Sequence, residues 1–123
     1  MTPLMEACFR GDAARAQLLL ARGAAVDEVT ADEPTRGSTA LMVAAVFGHA
    51  VCADVLLEEG ASVDKLNTLG RTALIIACAG GHAGFARRLI DAGAALDTQD
   101  AKGRTALMEA CDLRAPIEAN YSY

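Results

Sequence analysis

The side chains best equipped for chemistry are four cysteines, Cys8, Cys52, Cys78 and Cys111, and two histidines, His49 and His82. A thiolate activated by a histidine, a zinc site built from both types, or a disulfide framework would each draw on this set. The spacing argues against all three. No Cys-x-x-Cys pair, His-Glu-x-x-His helix, Gly-x-Ser-x-Gly elbow or Gly-Lys-Ser/Thr loop occurs, and the carboxylates are scattered. The intervals are instead equal to one another: His49 and His82 lie 33 residues apart, as do Cys78 and Cys111, and Cys8 precedes Cys78 by 33 plus 37. Equal intervals place these residues at fixed positions of a recurring unit, so the elements of that unit decide what they can do.

The recurrence runs through the whole chain. Thr39, Thr72 and Thr105 are 33 residues apart, and Thr2 precedes Thr39 by 37, so one interval holds four extra residues. Leu4, Leu41, Leu74 and Leu107 keep the same register, as do Ala7, Ala44, Ala77 and Ala110, and then Gly11, Gly48 and Gly81. Gly23, Gly60 and Gly93, Asp27, Asp64 and Asp97, and Gly37, Gly70 and Gly103 complete the pattern. A period of this length signals a stacked array, in which each unit buries its apolar face only against its neighbours. The chain of 123 residues is therefore expected to form one domain over 1–123, with units at about 1–37, 38–70 and 71–103 and a partial one at 104–123.

Stacking limits the chemistry. Equivalent positions in adjacent units are separated by roughly the 8–10 Å of packed helices, beyond the ~7 Å Cα limit for a disulfide. Cys78 and Cys111 are thus not expected to pair, Cys8 is further away, and Cys52 falls in a second helix on its own. Ala45 holds the place of Cys8, Cys78 and Cys111 in the second unit, which marks that place as small and buried. Two stacked histidines cannot converge on one ion, whose ligands lie within about 2–2.6 Å of it. No metal, cofactor or catalytic residue is expected, and the chain is read as not an enzyme. Four thiols without a framework suit a reducing compartment, the cytoplasm with the nucleus as the alternative.

Local signals describe the unit. Thr2 suits a helix N-cap, with Pro3 at the first helical position, where the missing N–H is no loss. The first helix should run to about Arg10, and Gly11 and Asp12 turn the chain into a second helix. There Ala16, Leu19 and Leu20 share a face, repeated as Ala53, Leu56 and Leu57 and as Ala86, Leu89 and Ile90, and these three faces should stack into one core. Gly23, Gly60 and Gly93 end the second helices in left-handed conformations. The composition, 53% hydrophobic and rich in alanine, suits closely packed helices. A net charge of −5 disfavours nucleic acid as a partner. The longest near-apolar run, Ala40 to Ala53, has 14 residues, short of the ~20 that a membrane span needs. No secretory leader pattern opens the chain.

Thr-Pro-Leu-Met at Thr2 to Met5, Thr-Ala-Leu-Met at Thr39 and Thr105, Gly-His at Gly48 and Gly81, and Leu56 to Asp64 resemble the ankyrin repeat. Two departures stand out. Met5, Met42, Ile75 and Met108 occupy the signature histidine position, which removes a ring that ties the hairpin turn; Asp27, Asp64 and Asp97 stand where the family often has Asn, and keep a short side chain able to bond nearby backbone. The resemblance implies an all-α ankyrin-repeat solenoid of stacked helix-turn-helix units with projecting β-hairpin fingers, about three and a half repeats. It also implies a protein-protein interaction module that meets a protein or peptide on its concave face. Carried over by position, the helix-end contacts are Phe9 and Arg10, Val46 and Phe47, Ala79 and Gly80, Asp112 and Leu113. The finger contacts are Arg36, Ser38, Thr68, Leu69, Arg71, Ala101, Lys102 and Arg104.

Phe9, Val46, Phe47, Leu69 and Leu113 avoid the repeated core positions and suggest an apolar stripe beside the basic fingers. Covering the junction between neighbouring first helices explains Phe9 and Phe47 equally well. Aligning Thr30 with Asn67 puts the four extra residues at Ala31 to Pro34, either a tolerated surface insertion or a specificity loop. In the fourth unit Arg114 replaces the turn glycine and the paired leucines are missing. Tyr121 and Tyr123 then form an irregular cap, or the chain is a piece of a longer protein or an incomplete gene model, the reading that the missing leucines favour. A structural or targeting segment of a longer ankyrin-repeat protein is the alternative function. In isolation a monomer is expected.

Overall fold

The computed structural model describes residues 2–30 and 37–110. Six helices follow in order, α1 (Pro3–Arg10), α2 (Ala13–Ala21), α3 (Ala40–Phe47), α4 (Ala50–Glu58), α5 (Ala73–Ala79) and α6 (Ala83–Asp91), and 106–110 open a further helical stretch. Each first helix begins where a threonine hydroxyl accepts an orphan N–H: Thr2 from Met5 at 3.1 Å, Thr39 from Met42 at 3.3 Å, Thr72 from Ile75 at 3.2 Å and Thr105 from Met108 at 3.3 Å. Asp12 does the same for α2, accepting from the Arg15 N–H. Among the described residues no helix is long and apolar enough to cross a membrane.

First helices stack on first helices, α1 on α3 on α5, and second helices on second helices, α2 on α4 on α6. Leu4, Leu41 and Leu74 are buried between the layers with Ala7, Ala44 and Ala77, whose small side chains let the helices approach closely. Because α3 has a neighbour on each side and α4 behind it, every residue from Ala40 to Ala45 is buried, which accounts for its apolar run. Ala16, Ala53, Leu56, Ala86 and Leu89 fill the second layer, where Phe85 and Cys52, at equivalent positions, are also buried.

The joints between units are made by side chains that reach across. His49 Nε2 lies 3.2 Å from the Phe9 carbonyl and His82 Nε2 lies 3.0 Å from the Val46 carbonyl, two equivalent bonds in which the ring nitrogen donates. Each ring sits over the glycine of the preceding turn. A Cβ on Gly11 would come within 2.8 Å of His49 Nδ1, and one on Gly48 within 2.4 Å of His82 Nδ1, while φ is +73° and +71°. Glycine is demanded there twice over, by handedness and by space. The Gly-His pair is thus one half of a joint whose other half belongs to the neighbouring unit.

The aspartates differ from expectation in the same way. Asp27 accepts from the Ser62 N–H at 2.9 Å and the Ser62 hydroxyl at 2.7 Å, and Asp64 accepts from the Ala95 N–H at 2.8 Å, so both bond the next unit instead of nearby backbone. The stacking offset brings the start of the next extended segment under the carboxylate. Cys52 is not alone either: its thiol comes close to that of Cys8 across the first joint. Burial, with Cys52 as the lesser cause, pushes the Cys8 thiol up to about 12, and burial also raises Cys52 and Cys78. Thiols held protonated are poor nucleophiles and act here as small apolar side chains.

Two expected core residues are exposed. Ile90 is 47% and Leu107 71% accessible, whereas Leu57 and Leu74, their counterparts one unit earlier, are half-buried and buried. Both lie on the side of the stack beyond the third unit, where the described residues supply no second helix against α6.

The fingers repeat one pair of bonds. Thr30 N–H donates to Ser38 O and Gly37 N–H to Thr30 O; Asn67 N–H donates to Arg71 O and Gly70 N–H to Asn67 O; Asp100 N–H donates to Arg104 O and Gly103 N–H to Asp100 O. The match supports the alignment of Thr30 with Asn67. With only this short closure, the fingers are narrow turns, and no strand forms among the described residues, in place of the β-hairpins expected. The inserted Ala31 to Pro34 and the segment from Cys111, with Arg114, Tyr121 and Tyr123, lie outside the described residues.

Candidate functional site

The ends of the first helices and the finger tips form the candidate partner-binding face. On the helix side, Phe9 and Phe47 meet edge to face, ring centroids 4.9 Å apart at 76°, and Phe47 stacks on the His49 ring at 5.9 Å. The bond from His49 to the Phe9 carbonyl fixes that ring, so the aromatic pair rests on the joint itself. The pair does cover the junction between α1 and α3. Even so, Phe9 remains 47% and Phe47 45% exposed, with Val46 exposed beside them. Arg10 points to solvent, in an ion pair with Glu6 at 3.1 Å.

On the finger side, a side-chain oxygen at the base of each turn orders the tip. Asn67 Oδ1 accepts the N–H groups of Leu69 and Arg71, both at 3.0 Å, and Asp100 Oδ1 accepts those of Lys102 at 2.8 Å and Arg104 at 3.0 Å. Adjacent tips are tied by the Ala101 N–H donating to the Leu69 carbonyl at 2.9 Å. The bond from the Arg104 N–H, followed by that from Lys102 and the charges of Arg71 and Arg104, holds the Asp100 carboxyl below its ordinary value against the opposing effect of burial.

Both arginines turn inward to a shared carboxylate. Arg71 Nη2 lies 3.2 Å and Arg104 Nε 2.8 Å from Glu109 Oε1, and Arg71 Nε, buried without a hydrogen bond, lies 3.5 Å from Asp100 Oδ2. Carried over by position they were partner contacts on adjacent fingers; Glu109, at the position of Glu6, Val43 and Ile76, gathers them instead. A hollow of about 260 Å³ is lined by Leu69, Arg71, Ala79, Asp100, Lys102, Arg104 and Glu109 among others. Since Ala79 holds the position of Phe9 and Val46, this hollow joins the helix ends to the fingers.

The structure therefore brings Leu69, Arg71, Lys102 and Arg104 together, and Phe9, Val46 and Phe47 together. Thr68 and Leu69 are exposed on the finger of the second unit. Ser38 is a correction: it is buried, its N–H donating to Thr30 Oγ1 at 3.3 Å, and it closes the first finger instead of facing a partner. Arg36 and Leu113 lie outside the described residues. Sequence reasoning missed Glu109 and Asp100 as organisers of the basic side chains. Asp100 was signalled by a charge replacing the Thr30 and Asn67 type; Glu109 shares its repeat position with Glu6 as well as Val43 and Ile76, so the period held no signal for it.

The family model for ankyrin repeats (3 copies) matches residues 1–67 and again 52–118. A search among curated proteins found no match. With the stacked helix pairs, the Thr and Gly-His positions and a family match spanning nearly all of its length, the chain belongs to the ankyrin-repeat family.

Proposed function

We propose that the chain is a non-catalytic binding module of a reducing compartment that takes a protein or peptide segment along its concave face. Ankyrin repeats are generally protein-protein interaction modules, and one observation carries the reading to this face. Phe9, Val46, Phe47 and Leu69 stay exposed on a scaffold whose other large apolar side chains in the first helices are mostly buried. Exposed aromatics on a rigid support are what interface anchors require, because little side-chain freedom remains to be lost on binding.

The basic edge completes the chemistry of the partner. Arg71, Lys102 and Arg104 supply three positive charges against two from Asp100 and Glu109, and the net positive charge of this edge favours a carboxylate on the partner. The segment recognised carries one or two large apolar side chains and an acidic residue. Selection of a displayed random peptide library on the full chain tests this. Enrichment of acidic sequences with an aromatic or large aliphatic residue is expected, and basic or featureless selected sequences would contradict it.

A further inference from the structure

Cys8 on α1 and Cys52 on α4 belong to adjacent units and bring their thiols close together inside the first joint. Both are free thiols and both are buried in the core. One unit later the same two places hold Ala45 and Phe85, equally buried. The second joint is thus filled by one large side chain and one small one, where the first is filled by two small side chains that can react with each other. Spacing within the period does not predict this pair, because the two cysteines hold different places in the unit and meet only through the offset between units. Cys78 stands in the third unit with Glu109 as its charged neighbour and is not part of the pair.

We propose that Cys8 and Cys52 are a redox-responsive brace, joined by a small-molecule disulfide such as oxidised glutathione into a disulfide that ties α1 to α4. In the closed array both thiols are shielded and protonated, so the reaction runs through opening of the first unit, which among the described residues has a neighbour on one side only. A thiolate released by that opening attacks oxidised glutathione, forming a mixed disulfide and expelling one glutathione thiolate. The second cysteine, deprotonated in turn, attacks the protein sulfur of the mixed disulfide and expels the other glutathione thiolate; each expelled thiolate takes up a proton. Two protein thiols and one glutathione disulfide thereby become one protein disulfide and two glutathione thiols. The bond closes a long loop of chain, which removes freedom from the unfolded state and stabilises the array. Because Cys8 directly precedes Phe9, it braces the same joint that the aromatic pair covers.

Incubation of the full chain with millimolar oxidised glutathione, then denaturation, alkylation without reductant, trypsin digestion and mass spectrometry tests the proposal. The expected cross-link joins the peptide ending at Arg10 to the one ending at Lys65, with Cys78 and Cys111 outside it. The oxidised chain should melt at least about 5 °C above the reduced one, and dithiothreitol should reverse the shift. Cys8→Ala, which places at the first joint the residue that Ala45 supplies at the second, should form no cross-link and show no oxidant-dependent rise in melting temperature. Oxidised wild-type chain in which Cys8 and Cys52 remain alkylatable, or carry glutathione singly, overturns the proposal. So does a cross-link that runs to Cys78 or Cys111 instead, or an oxidised chain that melts no higher than the reduced one.

Discussion

The joints between units and the finger face are built from the same period and behave oppositely. Across the joints the same atoms recur: histidine ring to carbonyl, aspartate to the next backbone N–H, leucine between leucines. Along the face, equivalent positions change from unit to unit: Phe9, Val46 and Ala79 at the helix ends, Thr30, Asn67 and Asp100 at the finger bases. A joint can use one solution repeatedly because its partner is always the next unit. A surface that meets something outside the array has no such constraint, and its residues diverge. Invariance within this chain therefore accompanies the joints, and departure from the period accompanies the face proposed to bind a partner.

The largest way to break that comparison is to remove a repeated joint residue. Leu74→Ala deletes a fully buried side chain at the second joint and should destabilise the array by about 2–5 kcal/mol, measured by urea denaturation. An unchanged midpoint would contradict the register. A sharper form compares two glycines with positive φ. Gly23→Ala introduces strain alone, since a Cβ there meets nothing within 4 Å, and should cost about 1 kcal/mol. Gly48→Ala must also displace the His82 ring, and should be the more destabilising by about 1 kcal/mol, the scale of the hydrogen bond lost. Equal melting temperatures for the two variants would mean that the ring does not hold the joint.

Much of the fold was legible because the signals for it are local. A threonine hydroxyl three residues from its N–H, or a glycine after an apolar helix, is recognised within one stretch of chain, and α1 to α6 begin and end close to where those residues stand. Contacts across the joint were not legible. Asp27 and Ser62, or Cys8 and Cys52, come together through the offset between units, which spacing inside one unit does not specify. The candidate face was legible in its aromatics and misread in its cations. Arg71 and Arg104 were correctly placed at the fingers, but Glu109 approaches from the next helical stretch and redirects both. Ile90 and Leu107 were misjudged because the period says what a position buries when a neighbour exists, and not whether one does.

Smaller effects refine the contrast. Asp27→Ala removes two bonds to Ser62 at an exposed site where water can substitute, so about 0.5–1 kcal/mol should be lost from the first joint. Calorimetry that showed no shift would reduce this bond to decoration. Asp100→Asn should have a small effect at neutral pH, since an amide makes the same bonds at Asn67 and only the charge facing Arg71 and Arg104 is lost. Its consequence is in acid. The Asp100 carboxyl is held below its ordinary value of 3.8, so the stability it adds is complete above that value and lost as pH falls through the lower folded one. The variant's melting temperature should therefore fall less than wild type between neutral pH and the acid side of that range, and identical pH profiles would count against the assigned shift.

The central claim is that the varying face binds while the repeated joints hold the fold, and Phe47→Ala tests it most directly. The titration of a library-selected peptide against this variant and the wild-type chain, with a thermal melt of each, separates the two roles. Loss of the exposed ring should weaken binding by more than about 1 kcal/mol, while the melting temperature changes little, since the ring is about half exposed. Undiminished affinity in Phe47→Ala, with binding abolished by Glu58→Arg on the second-helix side, would place recognition elsewhere and contradict the account.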